Sequence, residues 1–106
     1  MDIFSALADH TRRDIIETLA SSGKLSASEI CNKFSLSHPA ISQHLKVLRD
    51  VDLVFMEKRA QQHIYEINPQ KFEELEVWIS KMRKAWCGRF DTLDALLAVE
   101  TQKSIK

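Results

Sequence analysis

The first quarter of the chain carries apolar residues at helical spacing, with positions three and four apart sharing a face. Two such stripes predict two helices. Their members are Ile3, Phe4, Leu7 and Ala8 in the first, and Ile15, Ile16, Leu19 and Ala20 in the second. Thr11, followed three positions later by Asp14, predicts the start of the second helix, and Gly23 predicts its end.

Two further helices follow in close succession. Ser26 and Glu29 form a capping-box pair, which predicts the start of a third helix whose apolar positions are Ala27, Ile30, Cys31 and Phe34. Ser37 is the expected N-cap of a fourth helix, and Pro39 falls in its first turn, where proline is tolerated. Helix, short turn and helix form a helix-turn-helix, here over about residues 26–51.

After Asp52 the pattern changes to β-branched and aromatic runs. Residues 53–56 and 63–67 predict two strands joined by polar residues, a hairpin over about 53–67. Asn68-Pro69 then predicts the start of a long last helix, about 69–100, in which Gly88 favours a kink or break. The apolar stripe of this helix comprises Phe72, Leu75, Trp78, Ile79, Met82, Trp86, Phe90, Leu93, Leu96 and Leu97.

The element order α-α-α-α-β-β-α predicts a mainly α fold with a small β-hairpin, a winged helix-turn-helix. With 106 residues the chain has room for one domain, 1–106, and not for two. A domain this small cannot easily bury so long a final stripe alone. We therefore predict a homodimer in which the first and last helices pair across a two-fold axis.

The fourth helix carries the pattern expected of a DNA-reading element. Ile41, Leu45 and Leu48 fall on one side of a helical wheel and predict its buried face. A major groove about 12 Å wide accepts a helix with small polar groups, and glutamine there can pair with adenine. An ordinary solvated helix is the alternative, although it would more often carry Glu/Lys pairs. The outward residues are Pro39, Ser42, Gln43 and Lys46.

Further groups are candidates for contacts with the DNA backbone. His38, at the helix start, is expected either to contact phosphate or to pack. His44 is expected to be a partly buried flank residue, with a base contact as the alternative. The hairpin tip is expected to touch backbone or minor groove, although a solvated turn is the alternative. These additional candidates are Ser37, His38, Arg12 and Arg13, and at the hairpin tip Lys58, Arg59, Gln61, Gln62 and His63.

Composition limits the possible functions. Lys and Arg number 15 against 15 Asp and Glu, so any affinity for DNA must come from a few placed groups and not from a positive field. No apolar run approaches a membrane span, and the N-terminus lacks the basic start of a signal peptide. Two cysteines cannot make a disulfide framework. We therefore expect a cytoplasmic, nucleoid-associated protein.

Two segments resemble a known family. Residues 4–16 read FSALADHTRRDII and residues 37–48 read SHPAISQHLKVL. These are similar to the opening and the recognition helix of ArsR/SmtB-family regulators, and the long last helix resembles that of the non-metal, autorepressor-like branch. The resemblance implies a homodimeric winged-helix transcriptional regulator, usually a repressor released by a signal. Two departures are His10, where the family usually has proline, and Ala60, where many wings have glycine.

The sequence does not predict a metal, a cofactor or catalysis. The thiolate metal box of the family survives only as Glu29–Lys33, with Lys33 in place of its second cysteine, and no histidine follows His63. No Gly-rich phosphate loop or HExxH motif is present, so no enzyme is expected. We expect the aromatic residues of the last helix in the core or in a subunit interface, with an effector pocket as the alternative. These residues are Trp78, Trp86 and Phe90, and any effector is unknown.

Two alternatives remain for the function. One is a winged helix that serves as a protein-interaction adaptor without specific DNA binding, which the zero net charge favours. The other is a thiol-redox-responsive repressor that uses Cys31 and Cys87, which requires their Cα atoms to approach within about 7 Å. The favoured prediction is a regulator that binds an inverted repeat in double-stranded DNA.

Overall fold

The computed structural model describes residues 1–89. Five helices and three strands lie in this range, in the predicted helical order with one additional strand. Their bounds are α1 Ile3–Ala8, α2 His10–Ser22, β1 Leu25–Ser26, α3 Ala27–Lys33, α4 His38–Asp50, β2 Val54–Arg59, β3 Gln62–Ile67 and α5 Pro69–Arg89. Met1–Phe72 forms one compact unit, and the described residues from Glu73 to Arg89 belong to a second. The single-domain boundary stays a prediction.

The start of α2 differs from its prediction. The N-cap is Asp9 and not Thr11: the Asp9 side chain accepts the Arg12 backbone N–H at 3.0 Å, and the helix begins at His10. Both residue types are good caps, and the bond made by Asp9 decides between them. At the other end Gly23 adopts φ 84° and its N–H binds the Leu19 carbonyl, as predicted.

The ends of α3 and α4 follow the sequence closely. Ser26 Oγ accepts the Glu29 N–H at 3.1 Å, and the Glu29 carboxylate accepts the Ser26 N–H at 2.9 Å, which confirms the capping box. Ser37 Oγ accepts the Ala40 N–H at 3.3 Å and caps α4, with proline in the first turn. The helix-turn-helix is therefore set by local side-chain to backbone bonds.

The core of the first unit forms beneath α4. Ile41, Leu45 and Leu48 are each at most 1% exposed, as predicted, and pack in one cluster with side chains of α2 and α3. Burial of each such side chain contributes about 1.5–3 kcal/mol. The prediction for Ala20 is wrong, since this residue is exposed. It lies at the edge of the α2 stripe, where a small side chain adds little to the core.

The sheet has three strands and not the two of the predicted hairpin. Its order is β1-β3-β2, and both pairings are antiparallel. The short strand β1 pairs Leu25 with Tyr65 and Ser26 with Ile64. Two residues are too few to show the alternation that marks a strand, so β1 could not be predicted from its residues. β2 and β3 meet at a two-residue turn in which Ala60 takes φ 53°.

The last helix begins as predicted. Asn68 Oδ1 accepts the Gln70 N–H at 3.1 Å and Pro69 is the first helical residue. The helix continues through Gly88 to Arg89, so it does not end at that glycine. Large apolar side chains of the predicted stripe between Trp78 and Trp86 are 41–62% exposed in the single chain. Its members Phe90, Leu93, Leu96 and Leu97 lie outside the described residues. No helix within residues 1–89 is both long and apolar enough to cross a membrane.

Candidate nucleic-acid interface

The outward face of α4 is open in the structure. Pro39, Ser42, Gln43 and Lys46 are all exposed, while the opposite side of the same helix is packed into the core. None of the four outward side chains is a bulky hydrophobe, and together they offer a hydroxyl, an amide and a cation. These groups are of the kinds that can hydrogen-bond to base edges in a major groove. Their contact with DNA remains a prediction.

Backbone hydrogen bonds join the C-terminal end of α4 to the wing, which is the hairpin formed by β2 and β3. The Leu53 N–H binds the Leu48 carbonyl at 3.0 Å, and the Asn68 N–H binds the Leu53 carbonyl at 3.0 Å. Asn68 Nδ2 also donates to the Asp52 carbonyl at 2.9 Å, where Asp52 takes φ 61°. These bonds link the ends of the two wing strands to the C-terminal end of α4.

The candidates on the wing all lie at its exposed tip. Lys58 pairs with His63 across the hairpin, and Arg59 pairs with Gln62. Because successive residues of a strand point to opposite faces, the two pairs lie on opposite faces of the hairpin. Arg59 Nε donates to Glu57 Oε1 at 3.2 Å, an exposed ion pair worth at most about 1 kcal/mol. Each face of the tip therefore carries a cationic group.

A small cleft separates the start of α3 from the wing tip. Its volume is about 170 Å³, and its lining includes Ser28 from α3 and Gln62 and His63 from β3. Sequence reasoning did not associate Ser28 with the wing, because the two are far apart along the chain. The strand pairing of β1 with β3 brings them together.

His38 packs as well as being exposed. Its Nδ1 lies 3.4 Å from Cys31 Sγ, so the ring at the start of α4 contacts the thiol of α3. Of the two expectations for this residue, packing is confirmed, and phosphate contact stays a prediction. Neither Cys31 nor Cys87 is in a disulfide bond. Among residues 1–89, no three His, Cys, Asp or Glu side chains come together as a metal site.

His44 occupies the partly buried flank position expected of it. Its side chain is 21% exposed, and its Nδ1 lies 3.3 Å from Arg12 Nη1 and 3.9 Å from Asp9 Oδ2. The pKa of Asp9 is held below its usual value, chiefly by the hydrogen bond from the Arg12 backbone N–H, while partial burial opposes this. Asp9 is therefore an ionised cap beside the ring.

The two arginines at the start of α2 have partners within the protein. Arg12 Nε donates to the Ala6 carbonyl at 2.7 Å, and Arg13 Nη1 donates to the Leu7 carbonyl at 2.8 Å. Both guanidinium groups thus bind carbonyls that the end of α1 leaves without helical partners. Their predicted phosphate contacts remain untested, and the structure shows a role that sequence reasoning missed.

Comparison with known proteins identifies the family. The model of the bacterial regulatory protein arsR family matches residues 9–55, which span α2 to the start of the wing. The HTH-type transcriptional regulator Rv2034 of Mycobacterium tuberculosis is 42% identical over 66 residues, covering 62% of this chain and 61% of that protein. The chain thus matches about three fifths of that relative's length.

Two further proteins are matched over a larger share of their own length. The transcriptional repressor SdpR of Bacillus subtilis is 30% identical over 78 residues, covering 74% of this chain and 86% of that protein. The crystal structure of the ArsR family transcriptional regulator RHA00566 superposes with a TM-score of 0.73 at 28% identity, covering 79% of this chain and 86% of that one. The chain therefore belongs to the ArsR family of winged-helix transcriptional regulators.

Proposed function

We propose that this protein is a sequence-specific repressor that binds double-stranded DNA as a homodimer. The main support for the proposal is that the two sides of α4 differ. Its aliphatic side chains are at most 1% exposed, while its small polar side chains are exposed. A helix held in this way can enter a major groove without unfolding or uncovering its core. Repression follows if the bound site overlaps a promoter and blocks polymerase.

The residues divide into two roles in this proposal. Those on the outward face of α4 (Pro39, Ser42, Gln43 and Lys46) meet base edges and adjacent phosphates. Those at the helix start and the wing tip fix the register on the backbone. The second group comprises Ser37, His38, Lys58, Arg59, Gln61, Gln62 and His63. Arg12 and Arg13 have a weaker case as phosphate ligands, because both guanidinium groups bind α1 carbonyls.

A dimer is proposed because both terminal helices expose large apolar side chains. Phe4 on α1 is 50% exposed, and Trp86 on α5 is 62% exposed. Large exposed apolar side chains on one helix face favour burial against a partner. A two-fold dimer would place two α4 helices one helical turn apart, about 34 Å, on an inverted repeat. Such a regulator would act in the cytoplasm on nucleoid DNA.

The test is a titration of the protein against the DNA upstream of its own gene. Fluorescence anisotropy should show tight binding to one segment of this DNA and weaker binding to a shuffled copy of the same composition. Sedimentation of the complex should give two chains per duplex. Equal, weak binding to both that disappears at moderate salt would contradict the proposal.

That same outcome would favour the adaptor alternative, for which the zero net charge is the supporting observation. The thiol-redox alternative is tested by repeating the titration with and without reductant. Affinity that is the same in both removes a role for Cys31 and Cys87 in redox control, whereas loss of binding on oxidation and recovery on reduction supports it.

A further inference from the structure

The guanidinium of Arg12 bridges two elements of the fold. Nε and Nη2 donate to the carbonyls of Ala6 at 2.7 Å and Ser5 at 3.3 Å, near the end of α1. Nη1 lies 3.3 Å from Nδ1 of His44, in the middle of α4 and 32 positions away along the chain. One side chain therefore connects the end of α1 to the helix that we propose reads DNA.

The chemistry of this contact constrains the imidazole. A guanidinium has only N–H donors, so a hydrogen bond from Arg12 requires Nδ1 of His44 to accept. That bond therefore requires the tautomer whose proton is on Nε2. Protonation of the ring would turn Nδ1 into a donor, which would face Arg12 unfavourably and would favour the Asp9 carboxylate, 3.9 Å away. Arg12 and Asp9 are the charged groups that face this nitrogen.

The hydrogen bond between Arg12 and His44 restrains the orientation of α4 in a way that its apolar face does not. Ile41, Leu45 and Leu48 anchor the helix through burial, which is not directional and tolerates small rotations. A hydrogen bond is directional, and its energy falls steeply as its angle closes. His44 directly follows Gln43, so its bond to Arg12 restrains the rotation that aims the outward face.

We propose that Arg12 and neutral His44 form a positioning pair that sets the orientation of α4 for reading DNA, with Arg12 acting through His44 and not as a phosphate ligand. This inference rests on the proposed function. Its consequence is that discrimination between DNA sequences depends on the several N–H donors of the planar guanidinium group (the guanidinium fork) and on an acceptor at the Nδ1 position. The positive charge of Arg12 is not sufficient.

Conservative substitutions separate these roles. Arg12→Lys keeps the charge and loses the fork, so it should lower the ratio of operator to shuffled-DNA affinity about tenfold. His44→Leu should lower the same ratio by a similar factor. His44→Asn, whose Oδ1 falls near the position of Nδ1, should restore the ratio to within about threefold of wild type. Arg83→Lys, at an exposed arginine of α5 outside both proposed sets of DNA contacts, is the control and should leave the ratio nearly unchanged.

The double variant Arg12→Lys/His44→Leu shows whether the two residues act as one unit. Its loss should equal that of either single variant, because each already breaks the same bond. Losses that multiply, or an Arg12→Lys protein that discriminates as well as wild type, would overturn the inference. A fall in affinity for all DNA equally, with unchanged ratio, would instead identify a phosphate contact and would also overturn it.

A measurement on the free protein separates this inference from the proposed function. Nitrogen-15 chemical shifts of the His44 ring at pH 7.5 should show Nε2 protonated and Nδ1 unprotonated, and Arg12→Lys should move the Nδ1 signal. A proton on Nδ1 would overturn the pair whatever the DNA results. If the wild-type protein itself shows no preference for the operator, the proposed function fails, and the positioning role fails with it even where the ring shifts support the bond.

Discussion

Cys31 and His38 bring the two helices of the helix-turn-helix into contact, with Sγ of the first 3.4 Å from Nδ1 of the second. Cys31 is 8% exposed, and His38 is the first residue of α4. The thiol at the end of α3 is therefore covered in part by the ring that begins the proposed reading helix. The reactivity of this thiol toward an alkylating reagent therefore indicates whether the N-terminal end of α4 is packed against α3.

Iodoacetamide should alkylate Cys31 at least about tenfold more slowly in the native protein than in urea, because the thiol is buried and hydrogen-bonded. His38→Ala should raise the native rate by removing the covering ring. Mass spectrometry of the Cys31 peptide measures both rates. His63→Ala, at an exposed wing histidine, is the matched control and should not change the rate. An equal rate in the two variants would contradict the contact.

The cap of α2 should make stability depend on acid pH. The bond from the Arg12 N–H holds the pKa of Asp9 below its unfolded value, so the ionised cap stabilises the fold above that value. This contribution is lost as pH falls below the ordinary aspartate pKa, about 3.9, and through the lower folded pKa. Urea unfolding of Asp9→Ser, which keeps a cap acceptor without a titrating charge, should show a smaller change over this range. The same pH dependence in both proteins would refute the assignment.

Replacing Ala60 should stabilise the wing. Its φ of 53° lies in the left-handed region, which costs an L-residue about 1–2 kcal/mol and glycine little. Ala60→Gly should raise the free energy of unfolding by about 0.5–1 kcal/mol, since the greater freedom of the unfolded chain offsets part of the gain. Ala20→Gly, on the exposed side of α2, should lower it by about 1 kcal/mol. Denaturant titration measures both, and a loss of stability in the first variant would contradict the strain.

Lys58 should act on all DNA sequences alike. It lies at the exposed tip of the wing, where a cation is suited to phosphate and carries no base preference. Lys58→Ala should weaken operator and shuffled DNA by a similar factor and lower the salt slope by about 0.9. Lys24→Ala is the control, because Lys24 precedes Leu25, which pairs with Tyr65 away from the tip. A changed preference between the two duplexes would show that Lys58 contacts bases.

The elements that the sequence predicted best are those with local causes. Ser26 with Glu29 and Ser37 with Ala40 make bonds over three positions, so their caps are visible in the sequence itself. The inward side of α4 was predictable for the same reason, since its spacing alone defines a face. The predicted start of α2 was wrong because two capping residue types, Asp9 and Thr11, stand two positions apart and only one is chosen.

The features that escaped prediction depend on distant partners. The strand β1 exists because Leu25 meets Tyr65, and a two-residue segment has no period of its own. The roles of Arg12 and His44 depend on each other across 32 positions, so neither residue's surroundings along the chain reveal the bond. Sequence reasoning therefore assigned Arg12 to DNA on its charge, whereas the structure gives its guanidinium partners within the protein.

Gln43 provides the decisive test of the reading face. It is exposed on the outward side of α4, and an amide there can make a bidentate contact to adenine. Gln43→Ala should reduce the preference for operator over single-base variants by about 1–3 kcal/mol at one symmetric pair of positions, with little change on shuffled DNA. Gln70→Ala, at an exposed glutamine of α5, is the matched control. An operator preference that survives Gln43→Ala at every position would show that α4 does not read DNA through this face.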